Sequence, residues 1–406
     1  MKCGLIGSKL GHSYSPAIHG MLADYSYGLF EKTPEELEEF VTKSDYDGFN
    51  VTMPYKKDVM KLCTELSPSA SAIGCVNTLV RRADGTLYGD NTDAFGFEIL
   101  VKSTGVDVKG KKALVFGSGG ASATAVYVLK KLGASPVLVI SRSGENNYDN
   151  LYLHADAELI ANTTPLGMYP KTGVAAVDLT LFPGCKAVFD VVYNPRRTAL
   201  ILQAEKLGIP CSNGLKMLVA QAKKSCEDFT GASIPDGEID RIEKALLSQM
   251  QNIVIIGMPG SGKTTVCDLL GEKLGRPVVS SDDVIVEKAG KSIPEIFAEV
   301  GEEGFRKLET EVLAELGKAS GTIISTGGGV VTREENYDLL HQNGIIFRLE
   351  RDISLLPTDG RPLSQANRLG DMLAVRDPMY RRFADITVDN NGSLDETVNI
   401  IMEAIK

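Results

Sequence analysis

The chain has no tryptophan, only four histidines and an aromatic content of 6% across 406 residues. So few histidines argue against an imidazole-built metal centre. Its seven cysteines (Cys3, Cys63, Cys75, Cys185, Cys211, Cys226, Cys267) are odd in number and hold no Cys-x-x-Cys pair. Neither a disulfide framework nor a thiolate zinc site follows, and buried thiols in a reduced, cytoplasmic protein are the expectation. No apolar run reaches the ~18 residues of a membrane span. The opening "MKCGLIGSKLGHS" turns polar too early for a signal-peptide core. Basic residues are also in deficit: 43 Lys and Arg against 53 Asp and Glu leave a net charge of −10. That balance argues against a nucleic-acid partner while leaving local sites for small anions.

What is present is 43% hydrophobic residues, enough for sizeable cores, in a length that suits two or three domains. Short apolar strands alternate with helix-period segments: "KCGLIG", "YDGFNVTM", "KALVFG", "PVLVIS", "ELIANT", "KAVFDVV", then "NIVIIG", "PVVSS", "TIISTG" and "GIIFRL". The alternation predicts an α/β fold with parallel sheets covered by helices. "PDGEIDRIEKALLSQM" reads as a helix with Ile239, Ile242 and Leu246 on one face, leading into Ile253 without a long flexible linker.

Two strand–glycine-loop–helix units stand out. In "VFGSGGAS", Gly117 allows a tight turn, and Gly119 and Gly120, followed by Ala121, let backbone approach a pyrophosphate at a helix N-terminus. Ser122 stands where a third glycine is usual, so the motif alone is weak. After the next strand, Arg142 occupies the place where an NAD site carries an acid for the ribose hydroxyls. An arginine fork there suits a ribose 2′-phosphate and favours NADP, with a solvated loop arginine as the competing reading. The second unit, "GMPGSGKT", fits G-x-x-x-x-G-K-[ST] between a strand and a helix, a strong signal. Backbone at Gly257, Gly260, Ser261 and Gly262 can cradle phosphates with Thr265 beside it. Lys263 can reach the transferred group, and the Thr264 hydroxyl can ligate Mg²⁺.

Four polar clusters precede the first loop: "GHSYSPAIHG", "NVTMPYKKD", "AIGCVNTL" and "GDNTDAFGF". Singly, each has a bland reading as helix starts or solvated charges. Together with "NTTPLGM", "DVVYNP" and "NGLKMLVAQA" they resemble the shikimate dehydrogenase family over residues 1–250. The resemblance implies a substrate domain at 1–100, with helices from 225–250 packing back on it, and a Rossmann NADP domain at 101–224. It implies that Ser13 and Ser15 hold a substrate carboxylate, and that Thr52, Asn77, Asp93 and Gln221 bind ring hydroxyls. Lys56 and Asp93 would be the catalytic pair. Asn162, Thr163, Tyr193, Gly214 and Met217 would lie near the cofactor. A lysine beside a carboxylate suits ketone reduction, since the alkoxide left by hydride needs a proton donor in reach. The span from Arg142 to Asn162 looks contracted, with a helix missing.

Residues 252–406 resemble shikimate kinase, a small P-loop kinase, through "SSDDVIVEKAGKSIPEIF", "GEEGFRKLETEVL", "STGGGVV", "GRPLS" and "RDPMYRRFAD". By that resemblance Asp282 binds and orients the substrate hydroxyls, Arg306 and Arg376 grip its carboxylate, and Gly328 and Gly329 approach its ring. Arg361 would reach phosphate from a lid. Arginine forks for a carboxylate and positioned positive charge for phosphoryl transfer make physical sense. Arg306 could instead pair with Glu302 or Glu309 on a solvated helix face, and Arg381 and Arg382 read as solvated. Ser280 replaces the first acid of the family's Asp-x-Asp, and Pro357 falls where an adenine-contacting arginine is frequent. The expectation is a bifunctional enzyme reducing 3-dehydroshikimate with NADPH and phosphorylating shikimate with ATP and Mg²⁺. The alternative is a quinate/shikimate-type dehydrogenase fused to a degenerate ATP-binding regulatory module.

Overall fold

The computed structural model describes residues 1–11, 13–356 and 366–405. It divides into two compact units. One comprises Met1–Met168, Val174–Tyr193 and Leu200–Ala245; the other comprises Tyr169–Gly173, Asn194–Ala199 and Leu246–Lys406.

The first unit holds two sheets. Strands β1 (Lys2–Gly7), β2 (Ser26–Glu31), β3 (Gly48–Val51), β4 (Glu65–Leu66), β5 (Thr78–Arg81) and β6 (Leu87–Asp90) line up in the order β2-β1-β3-β5-β6-β4. This sheet is mixed, which corrects the expectation of parallel sheets alone: β5 runs antiparallel to both β3 and β6. The cause is local. Only residues 82–86 join β5 to β6, too few for a parallel crossover, which needs about a dozen. Asp84 Oδ1 accepts from Thr86 N at 2.9 Å, and Gly85 takes φ +85°, so the chain turns back as a hairpin.

The second sheet, β7 (Ala113–Phe116), β8 (Val137–Ile140), β9 (Leu159–Asn162), β10 (Ala187–Asp190) and β11 (Cys211–Ser212), is parallel throughout in the order β11-β10-β9-β7-β8. Every residue of β7, β9 and β10 is buried, as a sheet covered on both faces demands. Val115, Val128 and Phe189 pack on one face; Phe116, Ile140 and Leu200 pack on the other. Between β8 and β9 the chain forms 3₁₀ turns over Tyr148–His154 where a full helix would ordinarily cross, and Leu151 fills the core there. The contraction legible at Arg142–Asn162 is this replacement.

In the second unit β12 (Asn252–Gly257), β13 (Val278–Ser280), β14 (Ile323–Ser325), β15 (Gly344–Glu350) and β16 (Ile386–Asp389) form a parallel sheet, order β13-β14-β12-β15-β16. The chain leaves β7 and β12 for helices with sheet continuing on either side of each strand. Both glycine loops therefore sit at a topological switch point, where open α/β sheets bind ligands. The α/β reading with parallel Rossmann-type and P-loop sheets is thus met. The helix Gly237–Met250 buries Ile239, Ile242 and Leu246 as its periodicity required.

Candidate active sites

In the first unit, Lys56 follows β3 on a turn that Tyr55 anchors. The Tyr55 ring is buried and its hydroxyl donates to the Lys32 carbonyl. Asp93 opens the helix Asp93–Ser103, where the helix dipole favours a carboxylate. Lys56 Nζ lies 2.5 Å from Asp93 Oδ2, with side chains 23% and 15% exposed, so the pair is sheltered yet reachable. Asn77 is fixed from behind. Its Oδ1 accepts from Thr92 N at 2.7 Å, Thr92 Oγ1 at 3.1 Å and Thr78 Oγ1 at 3.2 Å. With the acceptor saturated, the amide nitrogen is the group Asn77 can offer a ligand.

Beneath it lies a buried hydroxyl–amide network that sequence reasoning missed. Ser225 Oγ contacts Asn50 Nδ2 at 2.7 Å and the hydroxyls of Thr78 and Thr92 at 2.9 Å each. The one signal available was spacing: Ser225 is one helical turn beyond Gln221. Ser13 Oγ accepts from Ser15 N at 3.2 Å, and Ser15 is buried. Tyr14 between them stands edge-on to Tyr193, ring centroids 6.1 Å apart, so the serine turn meets the segment that follows β10. A Cβ on Gly7 would touch Thr52 Cγ2 at 2.7 Å, which puts Thr52 at the end of β1. A Cβ on Gly96 would meet the Met217 carbonyl at 2.6 Å and Gln221 Cβ at 3.1 Å. Met217 and Gln221 thereby lie within a turn of Asp93.

Gly117 takes φ +115°, and a Cβ there would strike Thr163 Oγ1 at 2.7 Å. Gly119 ends the loop ahead of the helix Gly120–Lys131 with open space on its side-chain face, so a pyrophosphate has room there; Ala121 is in the first turn. A Cβ on Gly120 would come within 4.0 Å of Cys75 Sγ. The next residue, Val76, donates its N–H to the Lys56 carbonyl at 2.9 Å, so the glycine loop borders the turn that carries Lys56. Asn162 is spent on protein: its Nδ2 donates to Asp190 at 2.9 Å and its Oδ1 accepts from Thr164 N and Oγ1. Thr163 Oγ1 donates to the Phe116 carbonyl at 2.7 Å. These two shape the loop's floor. Gly214 admits no side chain, since a Cβ would stand 2.0 Å from the Val191 carbonyl. Arg142 is exposed; burial raises the Tyr148 phenol's pKa against the opposing pull of the Arg142 guanidinium.

In the second unit the phosphate loop needs its glycines: Gly257, Gly260 and Gly262 take φ +151°, +84° and +92°. Lys263 Nζ donates to the carbonyls of Gly257 and Met258, 3.0 Å each. Thr264 and Thr265 are exposed in the first helical turn, within reach of a cation or phosphate, and Ser261 is buried. Ser280 caps the helix Ser281–Ala289, its Oγ accepting from Asp283 N at 3.2 Å, so the serine that replaces the acid serves as a cap. Ser281 Oγ accepts from Gly327 N at 3.1 Å and fastens the Asp282 turn to the triple-glycine loop. A Cβ on Gly327 would lie 2.7 Å from Asp282 Oδ1 and 2.8 Å from Glu309 Oε1; one on Gly328 would meet Pro259 at 2.7 Å. Gly328 O accepts from Arg376 Nη1 at 3.0 Å.

Arg306 is not on a solvated face. It is buried, with Nη1 2.8 Å from Glu309 Oε2, and Glu309 is wholly buried. Burial raises that carboxyl's pKa against the pull of Arg306. Glu302, the other partner, is exposed, as are Arg381 and Arg382 in surface pairs with Asp377 and Glu334. Asp282, Glu309, Arg306 and Arg376 thus meet at the triple glycine. Arg361 lies outside the described residues.

A family model described as shikimate dehydrogenase substrate binding domain matches residues 5–79, and one described as shikimate kinase matches residues 259–406. The shikimate dehydrogenase (NADP(+)) of Caldicellulosiruptor bescii is 39% identical over 249 residues, 54% of this chain and 86% of that protein. A chorismate mutase/shikimate 5-dehydrogenase fusion protein from Clostridium acetobutylicum shares 36% identity at a TM-score of 0.58, covering 60% of this chain and 96% of that one. The quinate dehydrogenase of Corynebacterium glutamicum, solved in complex with NAD, gives a TM-score of 0.56 at 27% identity over 61% and 99%. By these matches the chain belongs to the shikimate dehydrogenase family, and the same polypeptide carries a shikimate kinase domain.

Proposed function

We propose that the first unit reduces 3-dehydroshikimate to shikimate with NADPH and that the kinase domain phosphorylates the new ring hydroxyl with ATP. The observation that carries this reading is the sheltered Lys56–Asp93 contact, 2.5 Å, on a turn that a glycine loop borders. NADPH supplies the hydride when bound. Lys56 Nζ is the proton donor to the alkoxide oxygen, and Asp93 holds the ammonium in place through the step. Asn77, Thr52 and Gln221 bind ring hydroxyls, and Ser13 and Ser15 hold the carboxylate. A site so lined rejects analogues lacking a hydroxyl, because its buried groups would be left unpaired.

In the kinase half, Arg306 and Arg376 hold the carboxylate and Asp282 orients the attacking hydroxyl. Lys263 neutralises charge on the phosphates, with Thr264 as the Mg²⁺ ligand. Glu309 keeps Arg306 aimed by pairing with one of its nitrogens, 2.8 Å away. The two halves are joined by chemistry: one makes the hydroxyl that the other esterifies.

The test is one incubation of the full chain with 3-dehydroshikimate, NADPH and ATP-Mg, following NADPH absorbance and ADP release together. Reduction without ADP release favours the regulatory-module alternative. Likeness to an NAD-bound quinate dehydrogenase favours a second reading in which NADH serves as well. Arg142 weighs against it, and relative rates with the two cofactors decide.

A further inference from the structure

We infer that Arg351 is a nucleotide contact, its guanidinium binding a phosphate oxygen of the adenine nucleotide beside the phosphate loop. The inference rests on the ATP-dependent reading above and adds a residue to it. Arg351 is the first residue after β15, at the carboxyl edge of the sheet next to β12. Its Nη1 lies 3.5 Å from where a Cβ on Gly262 would stand, so the guanidinium borders the loop one residue ahead of Lys263.

The donors of Arg351 are idle. Its Nε is buried with no hydrogen-bond partner, and among the described residues it makes no ion pair. Nearby carboxylates are committed elsewhere. Glu350 takes Arg348 at 3.0 Å, Asp352 takes Ser354 N and Oγ at 3.1 and 3.0 Å, and Asp389 takes Asn391 Nδ2 at 2.7 Å. Asn390, the other side chain against Gly262, is also spent: its Nδ2 donates to Ser261 O at 2.6 Å and its Oδ1 accepts from Thr397 at 2.7 Å. Asn390 holds the loop's shape, and Arg351 is the cation left with N–H groups to give. A permanently charged fork with a buried orphan donor, at a loop that gathers phosphates, is matched by a phosphate oxygen.

The test is titration of the full chain with a fluorescent ADP analogue and Mg²⁺, and separately with adenosine. Arg351→Ala is expected to weaken ADP about tenfold or more while leaving adenosine nearly unchanged, and Arg351→Lys to recover part of the loss. Unchanged ADP affinity in Arg351→Ala, or an equal loss for adenosine, overturns the assignment. If Arg351→Ala loses the thermal transition of the kinase domain, Arg351→Gln is read in its place. A wild-type chain that binds no ADP sinks the ATP-dependent reading itself, an outcome separate from failure of Arg351.

Discussion

Gly329 lies directly beneath Arg306: a Cβ on the glycine would stand 2.1 Å from Nη2 and 2.2 Å from Cζ of the arginine. The guanidinium rests on bare backbone, with Glu309 fixing its far side. Gly329→Ala must push Arg306 away from the place proposed above for the substrate carboxylate. Displacement of about 1 Å costs roughly a hundredfold in rate, so kinase kcat/KM should fall on that order with dehydrogenase rates unchanged. A coupled ADP-release assay beside an NADPH assay reads both.

Lys56 makes the opposite division. Lys56→Met removes the proton donor while Asp93 keeps its helix position, and reduction should slow about 10²–10⁴-fold, the usual worth of a placed acid. Kinase turnover should stay within error. A dehydrogenase rate within threefold of wild type would remove Lys56 from the chemistry.

Lys263 should behave as a phosphate cation. Lys263→Ala is expected to cut ATP-dependent phosphorylation by at least about a hundredfold, since phosphoryl transfer runs largely on positioned charge. Phosphorylation persisting at the normal rate would refute the kinase assignment.

The buried His19 sets an acid limit on the first unit. Its ring stacks on Tyr27 at 4.1 Å between centroids, and burial lowers its pKa to about 3. In the unfolded chain a histidine titrates near 6.5. Between those values the unfolded state binds the extra proton, so stability rises with pH and is lost as pH falls from about 6.5 toward 3. The slope reaches at most about 1.4 kcal/mol per pH unit. Urea unfolding followed by circular dichroism from pH 4 to 7 should be flatter for His19→Gln than for wild type by that amount, and equal slopes would contradict it.

What the sequence made legible follows from what each residue must do locally. The phosphate-loop glycines could be read outright, because Gly257, Gly260 and Gly262 occupy backbone conformations that other residues rarely adopt. The parallel strands of the second and third sheets announced themselves as short apolar runs. The β5–β6 hairpin did not enter the reading, although "ADGT" is a turn signal. Lys56 and Asp93 are 37 residues apart, and only family resemblance joined them. The Ser225–Asn50 bond spans 175 residues, so nothing local marks it. The burial of Arg306 was not legible because "EEGFRKLETE" carries charge on every side, and that burial depends on a glycine loop from elsewhere in the fold.

The helix Gly214–Thr230 joins two duties described apart above. Its first residue abuts the strand end ascribed to the cofactor, and Gln221, seven residues on, is ascribed to the substrate. At 1.5 Å per residue those points are held about 10 Å apart by a rigid rod. Contact at Gly96 seats that rod against the helix that bears Asp93. On the roles proposed above, one backbone element therefore sets the spacing between the cofactor and substrate ends of the site. Selection for a new substrate in this enzyme has to work around Gly96, because bulk there would shift both reactants together.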